Sequence, residues 1–282
     1  MTVIDRIPVT TARRTWRPGL VLSFAFLIVV VLAALVPHLF THVDPDAADP
    51  AATLLGPGGG HPLGTDQNGR DLFARIVHGA APSLLIGLGA SALGLAAGTV
   101  LGVLAAQSGR IGDELVSRLL DVLLSIPGLL LVILVVAVLG AGTGTSVVGL
   151  AVIVAPANAR LVRGEILRIR GSAFVEAAHA LGWPRWQVVL RHVVPNAVGP
   201  VLVLATISVG GTISAGASLS FLGLGPQPPT AEWGAMLAAS RDYFAVAWWP
   251  AIFPGLALTA TVLAITVTGG YLQQRLEGRA GR

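Results

Sequence analysis

Six runs of this chain stay apolar for about the length of a membrane-crossing helix: residues 20–36, 83–106, 119–139, 147–162, 199–219 and 249–269. Roughly 20 helical residues cross the hydrocarbon of a bilayer, and no water-soluble core absorbs six such segments. Charge agrees. Asp, Glu, Lys and Arg make up 11% of the 282 residues, where a soluble domain carries about 25%. In lipid every backbone N–H and C=O needs a partner within the protein, so the runs are read as helices and the chain as an all-α integral membrane protein with six transmembrane helices. The fourth run is the weakest, being short and containing Pro156 and Asn158. The first follows Arg13, Arg14 and Arg17 and outlasts the about 7–15 apolar residues of a signal peptide, so a retained helix is expected.

Arginines set the orientation, because cytoplasmic flanks attract them. With the N-terminus inside, that side holds Arg6, Arg13, Arg14, Arg17, Arg110, Arg118, every arginine from Arg160 to Arg191, and Arg275, Arg279 and Arg282. Only Arg70, Arg75 and Arg241 fall on the other side. Both termini are therefore expected in the cytoplasm, beneath a bacterial inner membrane. Trp16, Trp183, Trp186, Trp233, Trp248 and Trp249 all lie outside or at the edges of the runs, where indoles favour the interface. Residues 38–81 and 221–248 form the two substantial extracytoplasmic segments.

Several activities are excluded. Lysine is absent, and all 18 basic residues are Arg. A phosphate-binding loop of the Walker type needs its Lys to reach the terminal phosphates, so residues 140–144 are not one and the chain is not expected to hydrolyse ATP itself. No cysteine is present, and the histidines show no metal-ligand spacing; no metal site is expected. The sequence pI near 10.9 reflects arginines flanking spans, and no nucleic-acid partner is expected. A stand-alone channel or secondary carrier would need buried ionisable coupling sites or inverted repeats, and the spans are almost bare of charge. A membrane hydrolase would need a His-Glu-x-x-His or Gly-x-Ser-x-Gly motif, and neither occurs.

The informative stretch runs from Arg160 to Pro200. Its arginines would each cost about 2.5–3.5 kcal/mol at mid-membrane, so the loop lies in the cytoplasm. Residues 174–181 have helical spacing, Gly182-Trp183-Pro184 breaks it, and residues 185–194 read as a second short helix. Such an amphipathic hairpin needs a cover for its apolar side. Headgroups, the protein's own helix ends, or a docking partner all remain open on physical grounds.

Glu176-Ala177-Ala178, then Gly182, then Pro195 thirteen residues later, resembles the EAA loop of ABC importer permeases. His192 and Val194 replace the usual Ile and Leu, as in the peptide-permease variant of the motif. The run from His61 to Asp71 resembles the segment before span two in the C-type subunit of dipeptide, oligopeptide and nickel importers. Leu219-Ser220-Phe221-Leu222-Gly223-Leu224-Gly225, Trp233-Gly234 and Phe253-Pro254-Gly255-Leu256 resemble the same subunit, whereas residues 269–272 lack its frequent terminal Asp. The resemblance implies a type I importer fold and a hairpin that docks in a groove of a separate ATPase. Ala177 and Ala178 would allow close approach, Gly182 the turn, and Glu176 a cap or interface contact. It also implies two ATPase subunits carrying ATP and Mg, a homologous second permease, an extracytoplasmic solute-binding protein, and no cofactor on this chain. Peptides are the expected substrate class; nickel or another small solute is the alternative. The chain divides into 1–81, with the first span and an extracytoplasmic segment, and 82–282, a five-helix core with the coupling loop at about 166–198.

Other residues carry two readings. Asp121 is expected to pair with Arg118 one turn earlier. Pro127 and Pro156 are candidate hinges or packing kinks. Gly210, Gly211 and Ser214 in the fifth span would serve close packing or line the pathway. Asp66, Arg70 and Asp71 form a turn network or meet a docking protein.

Overall fold

The computed structural model describes residues 18–280; Arg6, Arg13, Arg14, Trp16, Arg17 and Arg282, used above for orientation, lie outside the described residues. In chain order the helices are α1 (Pro18–Leu35), α2 (Leu72–Gln107), α3 (Gly109–Ser125), α4 (Gly128–Leu139), α5 (Thr143–Arg170), α6 (Ala173–Ala180), α7 (Arg185–Val188), α8 (Val194–Phe221), α9 (Trp233–Ser240) and α10 (Trp249–Ala280). Of the described helices, α1, α2, α5 and α10 are each long and apolar enough to cross a bilayer, and α3 with α4 passes the same test as a bent pair. The run expected as the fifth crossing forms α8.

Residues 119–139, expected as one span with a bend or local break at Pro127, do not make one rod. The chain turns by 91° between α3 and α4, where Ile126 is extended (φ −81°, ψ 130°) and Pro127 follows. A proline ring disfavours the helical conformation of the residue before it. Pro127 therefore marks a true break. The 12 residues of α4 reach only about 18 Å at 1.5 Å per residue. Pro156 behaves differently: α5 runs through it from Thr143 to Arg170.

Helices α2 and α5 form the spine. Gly94, Gly98 and Gly102 recur every four residues along one face of α2, and a Cβ at each would meet α5. At Gly98 it would lie 2.6 Å from Asn158 Cβ and 2.7 Å from the Ala155 carbonyl; at Gly102, 2.6 Å from the Ala159 carbonyl. Without side chains between them the two backbones touch, which is how small residues hold membrane helices together. Helix α8 closes on the same spine: a Cβ at Gly87 would strike Ile213, and one at Gly216 would strike Ile86. The buried Val30, Leu72, Val77, Leu84, Ile213, Trp233 and Met236 tie α1 and α9 to this frame on one side, and Phe253, Leu258 and Val262 of α10 pack against them.

The glycine contact is testable with a matched pair of variants. Gly98→Ala should destabilise by about 1–3 kcal/mol, as overpacking does, whereas Gly211→Ala, with nothing within 4 Å of the new methyl, should be neutral or slightly stabilising. Thermal unfolding of the detergent-solubilised subunit reads both, and equal effects would refute the close-contact account.

Candidate functional site

The hairpin expected on the cytoplasmic side is built as an extension of the spine. Helix α5 ends at Arg170, and α6 starts three residues later. Between them the Ser172 carbonyl accepts from the amides of Val175 and Glu176. Helix α6 ends at a Schellman-type turn. Gly182 takes φ +82°, and the Trp183 amide donates back to the Ala178 carbonyl at 3.2 Å. Only glycine adopts that conformation without steric cost. The Arg191 guanidinium then stacks 5.8 Å from the centre of the Trp183 ring, clasping the turn to the returning arm.

That arm differs from expectation. The residues anticipated as a separate helix form α7, a π-turn over Val189–Val193, and the first turn of α8 without interruption. Pro195 is in the first turn of α8, directly after the π-turn, and donates no amide hydrogen bond back to it. The hairpin is packed, not loose: Val175, Ala178, Val188, Val193 and Ala197 are buried with Val162, Ile166 and Ile169 of α5 and Ala106 of α2.

The expected contact residues therefore split. Glu176 and Ala177 are exposed, while Ala178 is 7% exposed and faces the hairpin's own core. On the outer side Phe174, Ala177 and Leu181 share one face of α6 by their spacing; Phe174 and Leu181 are 48% and 78% exposed, and Trp186 beside them is 62% exposed. The arginines around the hairpin mostly serve its frame. Arg163 forks onto Asp113 of α3 at 2.5 and 2.6 Å. Arg160 pairs with Asp121, and Arg168 with Glu165. Arg170 donates to the Ala106 carbonyl at the end of α2, a natural place for a cation. Asp121 thus bonds to α5 and not to Arg118, which pairs instead with Glu114; packing of α3 on α5 supplied a partner that local spacing could not show.

Span five also divides. Gly210 is buried, with Thr266 Oγ1 3.0 Å from where its Cβ would be, so it is a packing position against α10. Gly211 and Ser214 lie on the open face with Ala215 and Ser218; the Ser214 hydroxyl donates to the Gly210 carbonyl.

At the opposite end α2 carries a polar knot. Asp71 caps α2 through the Ala74 amide and bonds to His61 Nδ1 at 2.9 Å. Thr65, fully buried, donates to the Ala52 carbonyl and accepts from the Leu55 amide. Gly69 is obligatory, since a Cβ there would fall 1.8 Å from the Asp49 carbonyl oxygen. Sequence reasoning missed Glu232. Its carboxylate is 1% exposed, caps α9 through the amides of Gly234 and Ala235, and accepts from the Ser83 hydroxyl of α2 at 3.0 Å. Beyond the prolines the same segment forms α9, whose Trp233 donates to the Ile76 carbonyl.

The turn residue gives a direct test. A Cβ at Gly182 meets nothing within 4 Å, so Gly182→Ala should cost only the left-handed backbone, about 1–2 kcal/mol, and Gly182→Asn less. Hydrogen exchange of α6 and α7 should rise in that order; unchanged protection in Gly182→Ala would rule out the Schellman turn as the hairpin's stop.

The comparisons with known proteins fit this geometry. Residues 98–282 match the family model described as the binding-protein-dependent transport system inner membrane component. The dipeptide transport system permease protein DppC of Alkalihalophilus pseudofirmus is 37% identical over 259 residues, covering 92% of this chain and 84% of that protein. The glutathione transport system permease protein GsiD of Pectobacterium atrosepticum is 42% identical over 222 residues, 79% of this chain and 74% of its own length. Among solved structures, a chain of the inward-facing MetNI methionine ABC transporter superposes with a TM-score of 0.59 at 22% identity, over 72% of this chain and 96% of its own. The fold is that of type I ABC importer permeases. This chain belongs to the family of binding-protein-dependent transport system inner membrane components, multi-pass permease subunits of ABC importers.

Proposed function

We propose that the chain is one of two homologous permease subunits of an ATP-driven importer for dipeptides or oligopeptides in a bacterial inner membrane. Six crossings place both termini in the cytoplasm. Two ATPase subunits, holding ATP and Mg, supply the energy, and an extracytoplasmic solute-binding protein delivers substrate. The observation that carries the reading is the hairpin. Its inner face is fixed to α5 and α8 by a buried core, while its outer face presents Ala177 and the exposed apolar Leu181 and Trp186 beside Glu176. A rigid, exposed apolar tip suits insertion into a groove of another protein. The peptide class is supported by the relatives, whose names include dipeptide and glutathione transport.

Mechanically, nucleotide-driven closure of the ATPases biases a two-state equilibrium. Glu176, Ala177 and the turn at Gly182 form the contact, Ala178 and Pro195 shape its support, and Pro127 and Pro156 are the candidate places of bending. The open face of α8 at Gly211 and Ser214 lies toward the pathway, where hydroxyls and bare backbone suit peptide amides.

Two alanines separate contact from support. Ala177→Leu should leave thermal stability within about 0.5 kcal/mol, as for exposed positions, yet cut co-purification with the ATPases and ATP-coupled uptake at least several-fold. Ala178→Leu should destabilise the subunit itself. Full uptake by Ala177→Leu would sink the coupling role. A panel of labelled dipeptides, oligopeptides and nickel, supplied to cells lacking this gene and to complemented cells, tests the substrate class: gene-dependent nickel entry without peptide entry would overturn it.

A further inference from the structure

Arg70 in the extracytoplasmic knot has less than its chemistry asks for. The residue is 9% exposed, its Nε is buried without a hydrogen-bond partner, and its side chain donates no hydrogen bond among the described residues. A guanidinium carries five N–H donors; the Nε–H of Arg70 is buried and unpaired, while its terminal nitrogens donate to no protein group among the described residues and stay on the side that lines a cavity. The nearest carboxylate oxygen, Asp66 Oδ2, is 3.7 Å away, beyond hydrogen-bonding distance. The same oxygen is 3.5 Å from Arg75 Nε, so one carboxylate oxygen faces two cations. Asp66 Oδ1 accepts from the amides of Asn68 and Arg70, which holds the carboxylate with Oδ2 at these longer distances. Arg75 is served elsewhere, by Asp46 and by the carbonyls of Pro45 and Pro229. Arg70 is not.

Arg70 lines a partly open cavity of about 80 Å³ together with Gln67, Asn68 and Thr230. A cavity of about 150 Å³ holds one benzene molecule, so this space takes a group of a few heavy atoms and not a dipeptide. Its walls come from both extracytoplasmic segments, the surface a protein arriving from outside meets first. We propose that this cavity seats the carboxylate of an Asp or Glu side chain of the extracytoplasmic solute-binding protein, with Arg70 as the paired cation. A guanidinium binds carboxylate through two parallel N–H···O bonds, here from the terminal nitrogens of Arg70 that line the cavity. The proposal rests on the importer reading above and adds to it the chemistry of one docking contact.

The test uses the assembled transporter in nanodiscs and the binding protein that stimulates its ATPase. Arg70→Gln should weaken docking about tenfold, with Arg70→Lys between it and wild type. Basal ATPase rate and Tm should stay unchanged in both. Sodium acetate, compared with sodium chloride at equal ionic strength, should compete with docking to wild type and not to Arg70→Gln. Unchanged affinity in Arg70→Gln overturns the proposal, as does acetate acting no differently from chloride. If Arg70→Gln fails to assemble, Arg70→Lys takes its place in the acetate comparison, where weaker competition than in wild type is expected and equal competition overturns the proposal. Acetate competition equal in wild type and Arg70→Gln places the carboxylate elsewhere and also overturns it. A wild-type transporter that neither binds nor responds to any such protein removes the importer reading together with this one.

Discussion

Backbone contact between α2 and α5 is the constraint on which the rest of the molecule depends. In lipid there is no hydrophobic drive to push helices together, so contact has to come from shape. The Gly94–Gly98–Gly102 face supplies it, bringing α2 against Ala155, Asn158 and Ala159. Both functional ends are grown from these two helices. The outward start of α2 holds the polar knot capped by Asp71, and the inward end of α5 holds the hairpin. Fixing the spine therefore fixes the relative placement of two surfaces at opposite ends of a helix about 54 Å long, from the 36 residues of α2.

Polarity in the protein is concentrated at those ends, and nearly all of it is committed. Carboxylates cap helices at Asp71 and Glu232 or pair with arginine at Asp113, Asp121 and Glu165. The arginines of the cytoplasmic loop, which composition alone presents as a basic patch, mostly hold α3, α5 and the end of α2 in place. What is left uncovered on the hairpin is apolar, a surface suited to another protein more than to an anionic one.

Much of this was legible in the sequence because lipid demands long apolar runs, and α1, α2, α5, α8 and α10 each follow one. The hairpin was legible too, through helical spacing on both sides of Gly182. The failures share a cause: they depend on partners distant in sequence. Asp121 seemed paired to Arg118 because that was the nearest cation, yet Arg160 lies across the α3–α5 contact. Glu232 gave no signal in a proline-rich segment, since its meaning comes from Ser83, 149 residues away. The break at Pro127 was visible as a proline, but hydropathy is blind to direction and read through it. Ala177 and Ala178 look equivalent in the motif; only packing shows that one is skin and the other is core.

The π-turn over Val189–Val193 has a mechanical meaning. Because α7 runs through it into α8, the returning arm of the hairpin and the 28-residue helix beyond it share a continuous helical backbone, with Pro195, which donates no amide hydrogen bond, just past the π-turn. Under the coupling proposed above, α8 would be a lever of about 42 Å with Gly211 and Ser214 on its open face. Motion at one end without an answering tilt at the other would have to bend the helix at the π-turn and Pro195.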